Sequence, residues 1–329
     1  MNILIDINHP AHVHLFKNFA WEMQVKGHHL LFTTRNKEIA HLLLKNYGFN
    51  FISFGKHYKK PLGKIWGILK FDIKLWLTAL KFKPDVFVSM GSIYASHASK
   101  LIGKPHILFQ DTENAKFQHK LSIPFADVVI NPTCFELEFK NTQIFYEGYH
   151  ELAYLHPCRF TPDAAILNEL GIAPNEKYVI MRFVSWTANH DVGHKGLTIE
   201  TKIKAAQAFS KHARVLITSE GNLPDELKPY QIKIPIERIH HAMAFASLLY
   251  GESATMASEC AVLGVPSIFL DNDGRGYTNE QQKEFGLVHN YSESAEDQAA
   301  SIERVLKYWP TQALKKNTKT SRSRCLNEK

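Results

Sequence analysis

The chain has 329 residues, 45% apolar and 22% charged, a balance that excludes extensive disorder and leaves room for about two domains of ordinary size. Its 39 Lys and Arg against 32 Asp and Glu give a formal charge of +7. That surplus is local: residues 56–83 hold eight Lys and one Asp, residues 315–329 hold six basic groups and one Glu, and the rest of the chain is net −5. A mildly acidic body with two basic segments and no nucleic-acid motif is not expected to bind nucleic acid.

The first apolar run, NILIDI (2–7), contains Asp6 and is too short for a signal peptide, so it reads as a strand. Further strands are expected at 29–34, 50–54, 85–90, 106–110 and 127–132, with amphipathic helices at 14–26, 37–47 and 92–102. Continuous apolar strands alternating with helices imply a parallel sheet covered on both faces. After strand one, the loop NHPAHVHLFKNF (8–19) aims helix-start amides outward and offers His9, His12 and His14 as groups that titrate near neutrality. No thiol or carboxylate accompanies them, so no metal is expected there.

Residues 56–83 form the basic element. From about Ile65 they read as a helix that is apolar around most of its circumference, with Lys70, Lys74 and Lys81 on one stripe and Trp66, Phe71, Trp76 and Phe82 as aromatic mass. Its four charges exclude a membrane span. A solvated lysine edge on a core helix and contact with an anionic membrane surface both remain open. Next, FQDTENA (109–115) places Asp111 and Glu113 after a strand, where a carboxylate base would stand. The stretch 146–163, broken by Gly148, Pro157 and Pro162, reads as the connection between two domains.

The strand pattern restarts at 178–184, 214–219, 247–252 and 266–271, with helices expected at 198–212, 254–263, 279–286 and 294–308. RFVSWTANHDVGHKG (182–196) follows its first strand. Arg182 and Ser185 suit a phosphate, while His190, Asp191 and His194 suit an acid/base pair with an orienting group; a polar surface loop is the other outcome. At 250–282, a strand ends on Glu252, and Ser253, Ala254 and Thr255 open a helix whose first amides suit a diphosphate. Glu259, about one turn further, either reaches ribose hydroxyls or forms a structural ion pair. Four scattered cysteines without CxxC spacing imply neither a zinc ribbon nor a disulfide framework, and a cytoplasmic location is expected.

The block 250–282 resembles the donor segment of two-domain GT-B sugar-nucleotide enzymes, in particular the transferases that add N-acetylglucosamine to the peptidoglycan lipid precursor. Thr255, Glu259, Gly264, Pro266 and Asn279–Gln282 follow their order, and His12 stands where their glycine-rich loop ends in a histidine. Residues 8–19, 182–196 and 251–268 also resemble a bacterial and archaeal family of predicted glycosyltransferases (domain of unknown function 354). UDP-N-acetylglucosamine 2-epimerases are similar too, but Ser92 stands where their catalytic Asp is expected, and ESATMASE replaces their acidic helix start.

These resemblances imply an α/β GT-B fold: two doubly wound Rossmann-like domains facing a cleft, with an acceptor domain at 1–150, a nucleotide-sugar domain at 151–310 and a basic flexible tail at 311–329. They imply a metal-independent glycosyltransferase without a cofactor, using a nucleotide-diphosphate sugar (UDP-linked) and a glycan or lipid-linked acceptor. Donor contacts are expected from Arg182, Ser185, His190, Ser253, Ala254, Thr255, Glu259 and Gln281, and a catalytic base from His12 first and Asp111 second. An acceptor or membrane contact is expected from Lys70, Lys74, Lys81, Trp66 and Trp76. An epimerase or hydrolase on the same fold, or a non-catalytic nucleotide-sugar-binding or membrane-associated protein, are the alternatives.

Overall fold

The computed structural model describes residues 1–35, 38–55, 61–140, 142–184 and 194–308. The expected tail and residues 56–60 lie outside that set. The chain divides into two compact units, Met1–Tyr154 and Leu155 onward.

The first unit is one parallel sheet of β1 (Asn2–Ile7), β2 (His29–Thr34), β3 (Phe51–Ser53), β4 (Val86–Met90), β5 (His106–Phe109), β6 (Val128–Pro132) and β7 (Thr142–Tyr146). Their order is β3-β2-β1-β4-β5-β6-β7. Strand β7 was not expected from sequence: it pairs in register with β6 from Val128↔Thr142 to Pro132↔Tyr146. As an edge strand with mostly exposed side chains it needs no apolar run, so composition did not mark it.

The order of connections reverses between β1 and β4, the crevice where doubly wound sheets bind ligands. There Asp6 lies fully buried, in register with Thr33 and Ser89. Its carboxylate accepts from Thr33 Oγ1 at 2.5 Å, from Arg35 Nη1 at 2.7 and 2.9 Å, from Arg35 Nη2 at 2.8 Å, and from Ser92 Oγ. Ser92 also caps helix Ile93–Ile102, accepting from Ala95 N at 3.1 Å.

Helix Pro10–Val25 starts four residues earlier than expected. Pro10 is preset for a first helical turn and His9 Nδ1 accepts from Ala11 N at 3.2 Å. His12 therefore sits on the helix and not on a preceding loop, and His14 lies one turn inside it rather than at its start. Helix Pro61–Phe82 buries Phe71, Leu75 and Ala79 in a cluster with Leu4, Phe54 and Phe87; each large side chain contributes about 1.5–3 kcal/mol by leaving water.

At the start of β5, His106 is fully buried, bonded to Ser89 Oγ at 2.9 Å and Ser96 Oγ at 3.2 Å, and burial pushes its pKa down to about 3. A histidine held neutral in the fold and free to protonate when unfolded makes stability fall as pH drops below 6.5, down to about 3. Between pH 6.5 and 5 this group should cost about 2 kcal/mol. The expected result is a urea midpoint that falls over this range in the wild type, and a flatter pH dependence in His106→Asn.

The second unit is a parallel sheet of β8 (Tyr178–Phe183), β9 (Arg214–Ser219), β10 (Leu248–Gly251), β11 (Ser267–Leu270) and β12 (Val288–Tyr291), in the order β12-β11-β10-β8-β9. Its core joins Val179, Met181, Phe183, Leu248, Tyr250 and Ile268 to Phe209, Ile302 and Val305 from flanking helices. Strand β12 was not expected, because VHNY is short and three of its residues are only half-buried. The helix expected at 279–286 begins at Gly276 and continues as a π-helical turn, Gln281–Phe285. Gly251 is required by contact: a Cβ there would lie 2.0 Å from the carbonyl oxygen of Arg182 on β8.

Candidate functional site

In the second unit, charged residues gather where the strands end. Arg182, in β8, is half-buried and its Nη2 donates to Glu220 Oε1 after β9 at 2.6 Å, while its buried Nε has no hydrogen-bond partner among the described residues. Glu252, directly after β10, is buried and accepts from Val184 N at 3.1 Å and Leu197 N at 2.6 Å, with Lys202 Nζ at 3.3 Å. This one carboxylate thus ties down both flanks of the segment holding Ser185, His190 and Asp191, three residues that lie outside the described set. Sequence reading treated Glu252 only as a strand end; a lone acid closing an otherwise apolar strand was the available signal.

His194, just beyond that segment, faces three carboxylates: Nδ1 is 2.6 Å from Glu293 Oε1 and 3.6 Å from Asp271 Oδ1, and Nε2 is 3.3 Å from Asp273 Oδ2. Glu293 Oε2 also accepts from Lys195 N at 2.7 Å and Gly196 N at 2.8 Å. Burial pulls the His194 pKa down, but the bond to Glu293 and the charge of Asp271 win, so it lies above the ordinary imidazole value. Burial raises Asp271; it also opposes ionised Glu293, but the amides of Lys195 and Gly196 and the His194 bond hold that carboxyl below its usual range. Donor atoms of His194, Asp271 and Glu293 lie within 4.8 Å of one another, a spacing that suits a cation. They are also bonded among themselves, and Arg275 faces Asp271 at 3.6 Å, so the cluster is satisfied as ion pairs.

Helix Ala254–Leu263 starts at the end of β10. Ser253 is its cap, accepting from Met256 N at 3.3 Å, and Ala254 and Thr255 are half-buried beside it. The first-turn amides of a ten-residue helix have no intrahelical acceptors and carry partial positive charge. Glu259, expected on a ribose, is buried, and its Oε1 lies 2.8 Å from Nε2 of buried His240. Gln281, also expected on the donor, is turned inward: fully buried, it donates from Nε2 to Ser258 Oγ at 2.8 Å. That is a correction, since the π-helical turn points this side chain at the neighbouring helix and leaves it no surface.

In the first unit, His12 is half-buried and its Nδ1 accepts from Asn8 N at 3.3 Å. That bond puts the ring proton of neutral His12 on Nε2, so Nε2 is a donor in this conformation and Nδ1 can act as a base only after the bond breaks. His14 is buried, stacked on Tyr154 and 3.2 Å from Tyr47 OH, which makes it part of the packing. Asp111, beyond β5, is half-buried and accepts from Thr112 Oγ1 at 2.9 Å. Its charge acts on His150 and Tyr146, which share a 2.5 Å hydrogen bond. Burial lowers the His150 pKa and raises that of Tyr146. These two residues fell in the stretch 146–163, read from sequence as the connection between domains, and were not singled out there.

On helix Pro61–Phe82 the expected lysine stripe is broken. Lys74 Nζ donates to Phe54 O at 2.9 Å, Lys70 is half-buried, and Lys81 is exposed. Phe71 turns into the core and Phe82 packs against it, whereas Trp66 and Trp76 face solvent. No helix among the described residues is long and apolar enough to cross a membrane.

Two parallel sheets with alternating helices, each reversing strand order at its middle, make this an α/β protein of GT-B architecture. It is similar over its whole length to a UDP-N-acetylglucosamine 2-epimerase from Neisseria meningitidis solved with UDP-N-acetylglucosamine (13% identity, 100% of this chain and 98% of that one, TM-score 0.64). It is likewise similar to the 2-epimerase of Methanocaldococcus jannaschii (12% identity, 92% of each chain, TM-score 0.63). MurG of Acinetobacter baumannii shares the fold as well (14% identity, 98% of this chain and 95% of that one, TM-score 0.60). The chain belongs to the DUF354 family, described as a protein of unknown function, whose model matches residues 1–273. An uncharacterised protein of Methanocaldococcus jannaschii is 25% identical over 282 residues, 82% of this chain and 81% of that protein.

Proposed function

We propose that the protein is a glycosyltransferase that moves a sugar from a nucleotide-diphosphate donor, UDP-linked, to a glycan or lipid-linked acceptor. The observation that carries this is the start of helix Ala254–Leu263, where Ser253, Ala254 and Thr255 present first-turn amides at a strand end beside Arg182. Those amides stabilise a leaving diphosphate without a metal, and Arg182 adds a permanent charge whose buried Nε is unpaired among the described residues. Ser185 and His190 belong to the same donor group by position in the chain. Glu252 positions the segment that bears them, and Glu259 reaches a ribose only by leaving His240.

For the base, our reading puts Asp111 ahead of His12, the reverse of the order expected from sequence. Asp111 presents a half-buried carboxylate, while His12 holds its proton on Nε2 and serves better as a donor to the acceptor or sugar. The enzyme acts in the cytoplasm and sits peripherally on the inner face of a membrane.

UDP at about 100 times its Kd should stabilise the fold by about 2.7 kcal/mol, which corresponds to roughly 5–10 °C in Tm for units of this size. If neither UDP, another nucleoside diphosphate nor their sugars shift the Tm, the donor site is misassigned. The likeness in fold to 2-epimerases supports one second activity, epimerisation or hydrolysis of the same donor. Incubation with UDP-N-acetylglucosamine alone separates the two: turnover without acceptor would favour the epimerase or hydrolase. Donor binding without turnover on any acceptor would favour a non-catalytic binder.

A further inference from the structure

We propose that the outward face of helix Pro61–Phe82 is a docking surface for an anionic lipid bilayer. This deepens the membrane location given above and stands independently of the donor chemistry.

Six large apolar residues of this helix are open to solvent: Trp66 (60% exposed), Leu69 (53%), Ile73 (54%), Trp76 (36%), Leu77 (47%) and Leu80 (47%). At 100° per residue they fall within an arc of about 100°, one continuous stripe along the helix. The opposite side, Phe71, Leu75 and Ala79, is packed into the core, so the stripe is not a misplaced core face but a second apolar face. A helix on the surface of a soluble protein ordinarily turns charges outward there. Continuous exposed apolar surface marks an interaction site.

Charge selects the occupant. Lys70 and Lys81 border one edge of the stripe. Anionic headgroups complement that edge. A second copy docked antiparallel through the same face would bring the two lysine edges together. Two tryptophans within the stripe match the water–hydrocarbon boundary, where an apolar ring and a polar N–H are both satisfied. With no helix among the described residues able to cross a bilayer, the helix lies in the interface plane. Lys74 does not belong to this surface, because its ammonium is held by the Phe54 carbonyl.

The test is co-sedimentation of the full-length protein with phosphatidylcholine vesicles, with and without phosphatidylglycerol. Tryptophan emission and light-scattering mass are read alongside. The wild type is expected to bind the anionic vesicles with a blue shift. Trp66→Ser/Ile73→Ser/Leu77→Ser should weaken that binding at least about tenfold. Lys70→Gln/Lys81→Gln should weaken it about tenfold on anionic vesicles only and flatten its salt dependence. Four of the five positions are exposed and Lys70 is half-buried, so an unchanged Tm and an unchanged response to UDP serve as fold controls. Wild type that ignores the vesicles, or a triple serine variant that binds as well as wild type, overturns the proposal. A wild-type dimer that the serine variant dissolves, with no vesicle binding, also overturns it and assigns the stripe to self-association.

Discussion

Asp6→Ala is expected to destabilise the first unit by about 3–5 kcal/mol, read as a fall in the urea midpoint with unchanged slope. The carboxylate receives two fork contacts from Arg35, whose side chain is 1% exposed, together with the hydroxyls of Thr33 and Ser92. Removing it strands a buried guanidinium that cannot lose its proton and keeps the ring of Tyr94, 4.4 Å away, as its cation–π neighbour. The paired variant Asp6→Leu/Arg35→Met removes both charges and should recover most of the loss, because the penalty belongs to the unpaired ion. A single variant as stable as wild type would mean that Arg35 finds another partner or water. The same pair explains a local sequence difference: Ser92 caps a helix and bonds Asp6, where the resembling epimerases are expected to carry a catalytic Asp. A second carboxylate there would face Asp6 directly and repel it.

The second large effect is chemical. Asp111→Asn should lower sugar transfer by about 10²–10⁴-fold while leaving the Tm response to UDP intact, since it removes a proton acceptor and keeps the shape. His12→Ala should cost less, because its Nδ1 is engaged by the Asn8 amide and its other nitrogen carries the proton. Single-turnover transfer measured against donor binding checks both. Full activity in Asp111→Asn, or a larger loss in His12→Ala, would return the base to the histidine. Loss of the UDP response in Asp111→Asn would instead make Asp111 a structural group.

Much of the architecture was legible before any coordinates. Strands β1, β2 and β9 have the bounds read from sequence, and so does helix Ala254–Leu263. Strands buried on both faces must be continuously apolar, and Ser253 and Gly264 are the cap residues a helix start and stop require. Both missed strands, β7 and β12, are sheet edges, where one free side removes the need for an apolar run. The start of helix Ala254–Leu263 was equally readable, since Ser253, Ala254 and Thr255 are contiguous and a helix N-terminus is a local device.

The sequence by itself determined the alternation of strand and helix, the two-unit count and the capped helix after β10. Only the tertiary structure decided which polar groups meet. Arg35 finds Asp6 across 29 residues, Glu259 finds His240 across 19, and His194 finds Glu293 across 99. It also decided which side of helix Pro61–Phe82 is core: both faces are apolar in sequence, and packing hides Phe71, Leu75 and Ala79 while leaving the Trp66–Leu80 stripe in solvent. The reason is physical. Hydrophobic period and capping chemistry act between residues a few positions apart, whereas ion-pair partners and the choice of buried face depend on strand order, which places distant segments side by side.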